Sequence, residues 1–215
     1  IAAVVLTNAD VDHVAGLFNL RESQAFAIYG HRRVLEVLAR NSIFNVLNPD
    51  YVARRPMPVD TVLALKDGHD QPLGLRVRAF PVPGKVALWL EDKNAPDFGT
   101  AEGDTLGVEI FDEKGASFFY IPACARMTPE LAERLRCATL VLFDGTMWHV
   151  DEMIQAGAGA KTGRRMGHMS CSGEDGSIAA LAGLGVRRKI FIHINNTNPL
   201  FVANSPERAE AEAAG

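Results

Sequence analysis

The sequence predicts an α/β (α+β) protein in which β-sheets are covered by helices. Both ends of the chain alternate candidate strands with candidate helices, whereas the middle is one strand after another. This order favours sheets with helical covers over a purely doubly wound fold. The strands are short apolar runs rich in β-branched and aromatic residues, and they lie at 3–6, 26–30, 75–82, 86–91, 106–112, 117–122, 139–144 and 189–194.

Helices are expected to follow several of these strands, at 13–20, 32–41, 128–136, 150–157 and 175–184. Two helix starts have clear capping chemistry, because Thr128 precedes Pro129 and Ser205 precedes Pro206. A hydroxyl side chain at the N-cap followed by proline at the first helical position is typical of a helix start. The polar segment 91–103 is predicted to be a long hairpin loop between two strands.

Composition limits the class of protein. The chain has 215 residues, of which 47% are hydrophobic, and a net charge of −4. This balance argues against a nucleic-acid binder, which would usually be basic, and no apolar run approaches the roughly 20 residues that span a bilayer. The three cysteines are too scattered for a disulfide framework, so a cytoplasmic location is expected. Cys124, between a strand and a helix, is interpreted as buried and inert, with a reactive thiol as the alternative. Because the chain opens inside an apolar strand without Met, we expect it to be a fragment.

Potential metal ligands follow three of the apolar strands. The first strand runs into Asp12 and His13, the seventh ends in Asp144, and the eighth carries His193. Sites gather beyond the carboxyl ends of strands in sheets with helical crossovers, so these residues are predicted to bind a metal ion. Two imidazoles and a carboxylate suit the Fe(II) of non-haem oxygenases and also a mononuclear Zn²⁺ site, and ligand type does not separate the two.

Each of these residues also has an ordinary structural explanation. Asp12 is a suitable helix N-cap and His13 a suitable residue in a first helical turn. Asp144 could start a turn, and a lone histidine such as His193 is more often a hydrogen-bonded core residue. Their joint occurrence at strand ends is what favours the metal site.

A second polar segment, GAKTGRRMGHMSCSGEDGS (159–177), combines glycines with Lys161, Arg164, Arg165 and His168. Arg and Lys side chains suit the binding of carboxylates or phosphates. The imidazole of His168 suits hydrogen bonding to a substrate or acid–base catalysis. A solvated basic loop is the alternative for Lys161.

The residues after the first strand also carry a resemblance. The stretch NADVDH (8–13) resembles an altered form of the His-x-His-x-Asp-His signature of the metallo-β-lactamase superfamily, with Asn8 and Asp10 in place of the first two histidines. Those two histidines bind one metal in that superfamily, and the Asp-His pair helps to bind a second. The resemblance extends to YIPACA, GHMS and FIHINN, where Cys124 stands for the bridging aspartate and His193 for the last metal ligand. It implies an αββα four-layer sandwich in which the first metal site is altered.

A closer resemblance covers essentially the whole chain. The motifs VVLTNADVDHVAGL, FPVPGK, YIPACA, LFDGTMW, GAKTGRRMGHMS and FIHINNTNP are similar, in the same order, to those of the coenzyme PQQ synthesis protein B family. This implies a single metallo-β-lactamase-like domain over residues 1–215, lacking the family's N-terminal part and extreme C-terminus. It also implies a role in the biosynthesis of pyrroloquinoline quinone (PQQ), with a peptide-derived, cross-linked Glu–Tyr precursor as ligand and other PQQ biosynthesis proteins as potential partners.

The resemblance leaves the activity open. One alternative is an iron- and O₂-dependent hydroxylase acting on the tyrosine ring of the precursor; the others are a soluble carrier of PQQ or its precursor to the periplasm and a zinc hydrolase. We favour the hydroxylase, because loss of the first-metal ligands fits poorly with binuclear hydrolysis. On this hypothesis Fe(II), or alternatively Zn²⁺, is bound by Asp12, His13 and His193, and Asp144 completes the metal site or orients a ligand. The remaining assignments are catalysis by His168 and Asp10 and substrate binding by Lys161, Arg164, Arg165 and Asn8.

Overall fold

Strands and helices occur in both of the units into which the chain divides, so the predicted α/β class is confirmed. The computed structural model describes residues 1–215. Unit 1 consists of Ile1–Pro81 with Lys85–Ala116, and unit 2 of Val82–Gly84 with Ser117–Gly215. None of the helices combines the length and the apolar character needed to cross a bilayer. The prediction of a single domain stays a prediction.

The first sheet of unit 1 is parallel and has the strand order β1-β2-β3. Its middle strand is buried along its whole length, as expected for a parallel sheet covered on both faces. The helix after β2 is amphipathic and buries the side chains of Val34, Val37 and Leu38. The elements are β1 (Ala3–Val5), α1 (Val11–Val14) continued by a 3₁₀ helix (Ala15–Leu20), β2 (Phe26–Gly30), α2 (Arg32–Arg40), a 3₁₀ helix (Ser42–Val46) and β3 (Val52–Pro56).

The remaining strands of unit 1 pair in antiparallel fashion in the order β4-β5-β6. They are β4 (Val62–Lys66), β5 (Pro72–Pro81) and β6 (Leu106–Phe111). Val77 and Ala79 lie on the same face of β5 and are fully buried, in a cluster with Leu106 and Val108 of β6. Because side chains alternate between the two faces of a strand, the face of β5 and β6 that carries these four residues packs into the core.

Two features of unit 1 differ from the sequence-based expectation. The predicted strand 86–91 is wrong, because Leu88–Leu90 forms a short 3₁₀ helix with exposed side chains. Strands β3 and β4 were not predicted; β3 has the sequence VARRP, whose arginines hide its strand character. One of them, Arg55, is partly buried and donates from Nη1 to the hydroxyl of Tyr29 (2.8 Å).

The strands of unit 2, β7 (Ser117–Ile121), β8 (Val141–Asp144) and β9 (Lys189–Ile192), pair in parallel in that order. Both predicted caps are confirmed, since Thr128 Oγ1 accepts from Leu131 N (3.2 Å) and Ser205 Oγ accepts from Arg208 N (3.1 Å). The parallel arrangement brings the residues that follow the three strands to one edge. The helices are α3 (Pro129–Leu135), α4 (Glu152–Gln155), α5 (Gly163–Met166), α6 (Ser177–Ala182) and α7 (Pro206–Ala214), with a 3₁₀ helix at Pro199–Phe201.

Candidate metal centre

Asp144 is the last residue of β8 and is fully buried. Its Oδ2 accepts the backbone N–H of Cys124 (2.8 Å), and its Oδ1 accepts the backbone N–H of Thr146 (3.0 Å). The Thr146 hydroxyl lies 2.6 Å from the same Oδ1. A buried carboxylate needs such partners to offset its desolvation. These contacts favour the alternative in which Asp144 orients a metal-binding side chain over the alternative in which its own oxygens bind the metal.

The His168 side chain is hydrogen-bonded to Asp144. Its Nδ1 lies 2.7 Å from Asp144 Oδ2, and its side chain is 12% exposed. The backbone reaches this position through Gly167, which ends α5 in the left-handed region at φ 87°. Because the carboxylate accepts at Nδ1, we assign the ring proton to that atom, which leaves the Nε2 lone pair available.

His193 follows β9 directly and completes the group. Its Nδ1 lies 2.7 Å from the Thr146 hydroxyl, and its ring stacks on that of His168 with centroids 5.4 Å apart at 29°. Its φ of 56° places a non-glycine residue in the left-handed region. Backbone strain of this kind costs about 1–3 kcal/mol and clusters at functional sites.

Asp144, His168 and His193 offer ligand atoms that all lie within 4.8 Å of one another. Imidazole nitrogen is a donor that suits Zn²⁺ or Fe(II), and each of the two rings has a second nitrogen besides the hydrogen-bonded Nδ1, so the residues present fit the metal expected from the sequence. Imidazoles whose second nitrogen is anchored by a carboxylate or hydroxyl are the usual arrangement at such centres.

The predicted residues of unit 1 lie at the turn between β1 and α1. Asn8 is buried, and its Oδ1 accepts the backbone N–H of Asp10 (3.0 Å). Asp10 in turn accepts the backbone N–H of Leu88 (2.9 Å) at Oδ1, and its Oδ2 lies 3.6 Å from the Lys85 ammonium. These contacts fix the turn and a second loop to each other. The predicted substrate-binding role of Asn8 and catalytic role of Asp10 stay predictions.

Asp12 and His13 lie in the first turn of α1. Asp12 Oδ2 and His13 Nε2 are 3.8 Å apart, and the Asp12 side chain is 63% exposed whereas that of His13 is 13% exposed. Asp10, not Asp12, occupies the N-cap position of the helix. The ligand role of this pair stays a prediction, and the metal content of His13→Ala tests it.

Residues Gly163–Met166 of the basic segment form a short helix, α5, which the sequence analysis did not predict, and Lys161 lies just before it. The hydroxyl of Thr162 accepts from Arg165 N (3.2 Å) and so begins the helix. The exposed Arg164 lies 3.5 Å from Asp175, which is also exposed, and solvent weakens this ion pair. The substrate-binding role of Arg164, Arg165 and Lys161 stays a prediction.

The comparisons with known proteins agree on one family. The model of the beta-lactamase superfamily domain matches residues 1–194. The chain is 51% identical over 218 residues to the coenzyme PQQ synthesis protein B of Rhodopseudomonas palustris (strain TIE-1), covering 100% of this chain and 70% of that protein. The corresponding protein of Xanthomonas euvesicatoria is 50% identical over 215 residues, with 69% of it covered.

The chain belongs to the coenzyme PQQ synthesis protein B family. The solved structure of Zn²⁺-bound PqqB from Methylobacterium extorquens has a TM-score of 0.91 and 46% identity, and the match covers 100% of this chain and 69% of that one. A diphosphatase of the PhnP family, 17% identical with a TM-score of 0.61, shares the fold; that match covers 93% of this chain and 62% of that one. The predicted metallo-β-lactamase-like fold and the family resemblance are confirmed.

Cys124 contributes its backbone to the site. Its N–H binds Asp144 and its carbonyl accepts from Met169 N (2.7 Å). The thiol is fully buried, and burial, followed by the nearby charge of Asp144, raises its pKa to about 12. A thiol with this pKa is protonated at neutral pH, which agrees with the inert interpretation.

Sequence reasoning missed Thr146, which supports the centre directly, and a hydrogen-bonded pair elsewhere in unit 2, Glu152 and Thr197. Thr146 joins Asp144 to His193, as described above. Glu152 is buried; its Oε2 accepts from the backbone N–H of Trp148 (2.6 Å), and its Oε1 accepts from the Thr197 hydroxyl. The motif LFDGTMW includes Thr146, but a threonine after Asp-Gly also suits an ordinary turn.

Proposed function

We propose that this chain acts in PQQ biosynthesis as an iron- and O₂-dependent hydroxylase of the tyrosine ring of a cross-linked Glu–Tyr precursor. Family membership supports the pathway, because the relatives at about half identity are named coenzyme PQQ synthesis protein B. The observation that carries the proposed chemistry is the hydrogen-bonded group of Asp144, His168 and His193. Both imidazoles are hydrogen-bonded through Nδ1, that of His168 to Asp144 and that of His193 to Thr146, and one nitrogen of each ring lies within 4.8 Å of an Asp144 oxygen.

Non-haem Fe(II) oxygenases bind their metal through imidazole and carboxylate side chains and keep coordination positions open, and His193 is a donor of that type. Fe(II), when bound, would supply the activation of dioxygen. In this proposal His193 is a metal ligand. Asp144 orients the His168 ring directly and the His193 ring through the Thr146 hydroxyl.

His168 is proposed to move the proton of the substrate phenol. Its Nε2 accepts the phenolic proton while Nδ1–H remains bonded to Asp144 at 2.7 Å. The buried carboxylate stabilises the imidazolium that forms, because an ion pair is strong where water is excluded. The cations Lys161, Arg164 and Arg165 are proposed to bind the carboxylates of the precursor.

The test is an oxygen-transfer assay. The protein is loaded with Fe(II) without oxygen, and the cross-linked Glu–Tyr precursor is added with an external two-electron reductant such as ascorbate, because one oxygen atom of O₂ enters the ring and the other leaves as water. Air is then admitted, and mass spectrometry follows the precursor. A gain of oxygen that disappears in His193→Ala and persists in Arg136→Ala, a change at an exposed ion pair on α3's end, supports the hydroxylase. A bound precursor of unchanged mass would indicate a carrier instead.

A zinc hydrolase is the second candidate, because the relative from Methylobacterium extorquens is described as Zn²⁺-bound. Zinc with three protein ligands and a water is a common hydrolytic centre. Cleavage of the precursor by the Zn²⁺-loaded protein, with no oxygen gain by the Fe(II)-loaded protein, would favour this candidate.

A further inference from the structure

We propose that Thr146 is a positioning residue that fixes the metal-binding tautomer of His193. The inference rests on the proposed metal role of His193, but not on hydroxylation. Thr146 is buried, and its hydroxyl lies 2.6 Å from Asp144 Oδ1, 2.7 Å from His193 Nδ1 and 2.9 Å from the His193 carbonyl oxygen. One hydroxyl therefore joins the buried carboxylate to the second imidazole.

The hydroxyl has a single hydrogen to donate, so only one of the three contacts receives it. Asp144 Oδ1 and the His193 carbonyl oxygen are both acceptors alone, but the carboxylate oxygen is charged and closer to the hydroxyl, at 2.6 Å against 2.9 Å, so it is the stronger acceptor of the hydrogen. The hydrogen is therefore assigned to Asp144. The Thr146 oxygen then accepts from His193, which places the ring proton on Nδ1 and leaves Nε2 with its lone pair.

The backbone around Thr146 holds His193 independently of the hydroxyl. Asn195 N donates to Thr146 O (3.1 Å), and Gly145 N donates to Ile192 O (2.8 Å). These bonds hold the left-handed backbone of His193, at φ 56°, in place. Consequently, removal of the hydroxyl alone should change the rotation and tautomer of the ring more than the course of the chain.

Two substitutions separate the hydroxyl from the packing. Thr146→Val keeps the shape and removes the hydroxyl, whereas Thr146→Ser keeps the hydroxyl and removes a methyl group. In the metal-free protein, ¹⁵N NMR of the imidazoles should show the Nδ1–H tautomer of His193 in the wild type and in Thr146→Ser, and Nε2–H in Thr146→Val. Zn²⁺ affinity, from a competition titration, should fall about 10–100-fold in Thr146→Val and stay near wild type in Thr146→Ser.

An Nε2–H tautomer of His193 in the wild type would overturn the proposal, and so would unchanged Zn²⁺ affinity in Thr146→Val. An equal loss in both variants would assign the effect to packing and also overturn it. If Thr146→Val does not fold, the tautomer in the wild type and in Thr146→Ser decides. None of these readouts depends on turnover, so a failed hydroxylation assay with the Nδ1–H tautomer present counts against the proposed function alone.

Discussion

Substitution of Asp144 by Asn tests the whole hydrogen-bonded group, because Asn has the same shape but only one accepting oxygen. If that oxygen remains toward Thr146, the amide NH₂ takes the place of Oδ2, 2.8 Å from the buried N–H of Cys124 and 2.7 Å from His168 Nδ1. Two donors then face each other at Cys124. A buried donor without an acceptor costs about 1–3 kcal/mol of unfolding free energy, which is roughly 2–4 °C of Tm per kcal/mol in a chain of this size.

The same substitution should impair His168 as the proposed proton acceptor. With an NH₂ group opposite, Nδ1 becomes the acceptor and the ring proton moves to Nε2, the atom that must accept the phenolic proton. We expect the rate of oxygen gain by the precursor to fall about 10²–10⁴-fold in Asp144→Asn.

Urea unfolding of the metal-free protein and the oxygen-transfer assay measure the two effects. The matched control for unfolding is Asp175→Asn, whose side chain is 92% exposed and whose unfolding free energy should change by no more than about 0.5 kcal/mol. If Asp144→Asn unfolds at the same urea concentration as the control and oxidises the precursor as fast as the wild type, the assignment of Asp144 as the anchor of the centre is refuted.

Three further predictions concern buried thiols and one glycine. In the metal-free protein, iodoacetamide should modify the exposed Cys137 first and the fully buried Cys124 and Cys171 only after unfolding, because burial raises the pKa of both buried thiols to about 12. Peptide mass mapping checks the order of labelling, and early labelling of either buried thiol would contradict the prediction. Because unfolded thiols ionise at about pH 9, the raised pKa values contribute fully to the unfolding free energy below that pH, and this contribution is lost as pH rises from about 9 to about 12. Urea unfolding across this range should show the unfolding free energy falling, whereas a flat profile would mean that the thiols are accessible. Gly103→Ala should lower the unfolding free energy by more than Gly115→Ala in the same urea experiments. Both glycines have φ near 90°, but only at Gly103 would the new Cβ lie 1.9 Å from a side-chain atom, Nδ1 of His31. Equal losses would mean that the backbone conformation alone determines the effect.

Local signals predicted the fold well where the structure depends on neighbouring residues. The N-caps at Thr128 and Ser205 follow from residues that are adjacent in sequence, and both are present. The segment Leu88–Leu90 is as apolar as a strand, but strand formation needs a partner, and its backbone instead binds Asp10 from a distant part of the chain. Pairing of this kind is not encoded in a short window of sequence.

In the candidate site, too, local sequence patterns indicated some residues, whereas others depend on contacts between distant parts of the chain. Asp144 and His193 were predicted because each ends a strongly apolar strand, and His168 because glycines surround it. Thr146 was not, because its role exists only through the parallel pairing of β8 with β9, which places Asp144 opposite Ile192 and brings His193 within reach. The sequence shows the polar residues at strand ends, whereas the hydrogen bonds that connect them depend on strand register.

The left-handed backbone of His193 has a practical consequence for engineering this family. Glycine, and to a lesser degree asparagine, adopt a φ of 56° with less strain than histidine does. A screen that rewards heat resistance alone would therefore favour variants that lack this imidazole and, on the ligand role proposed for His193, would enrich for well-folded but metal-deficient protein. Thermostabilised versions should accordingly be selected with metal retention scored in the same round, so that robustness and chemistry improve together.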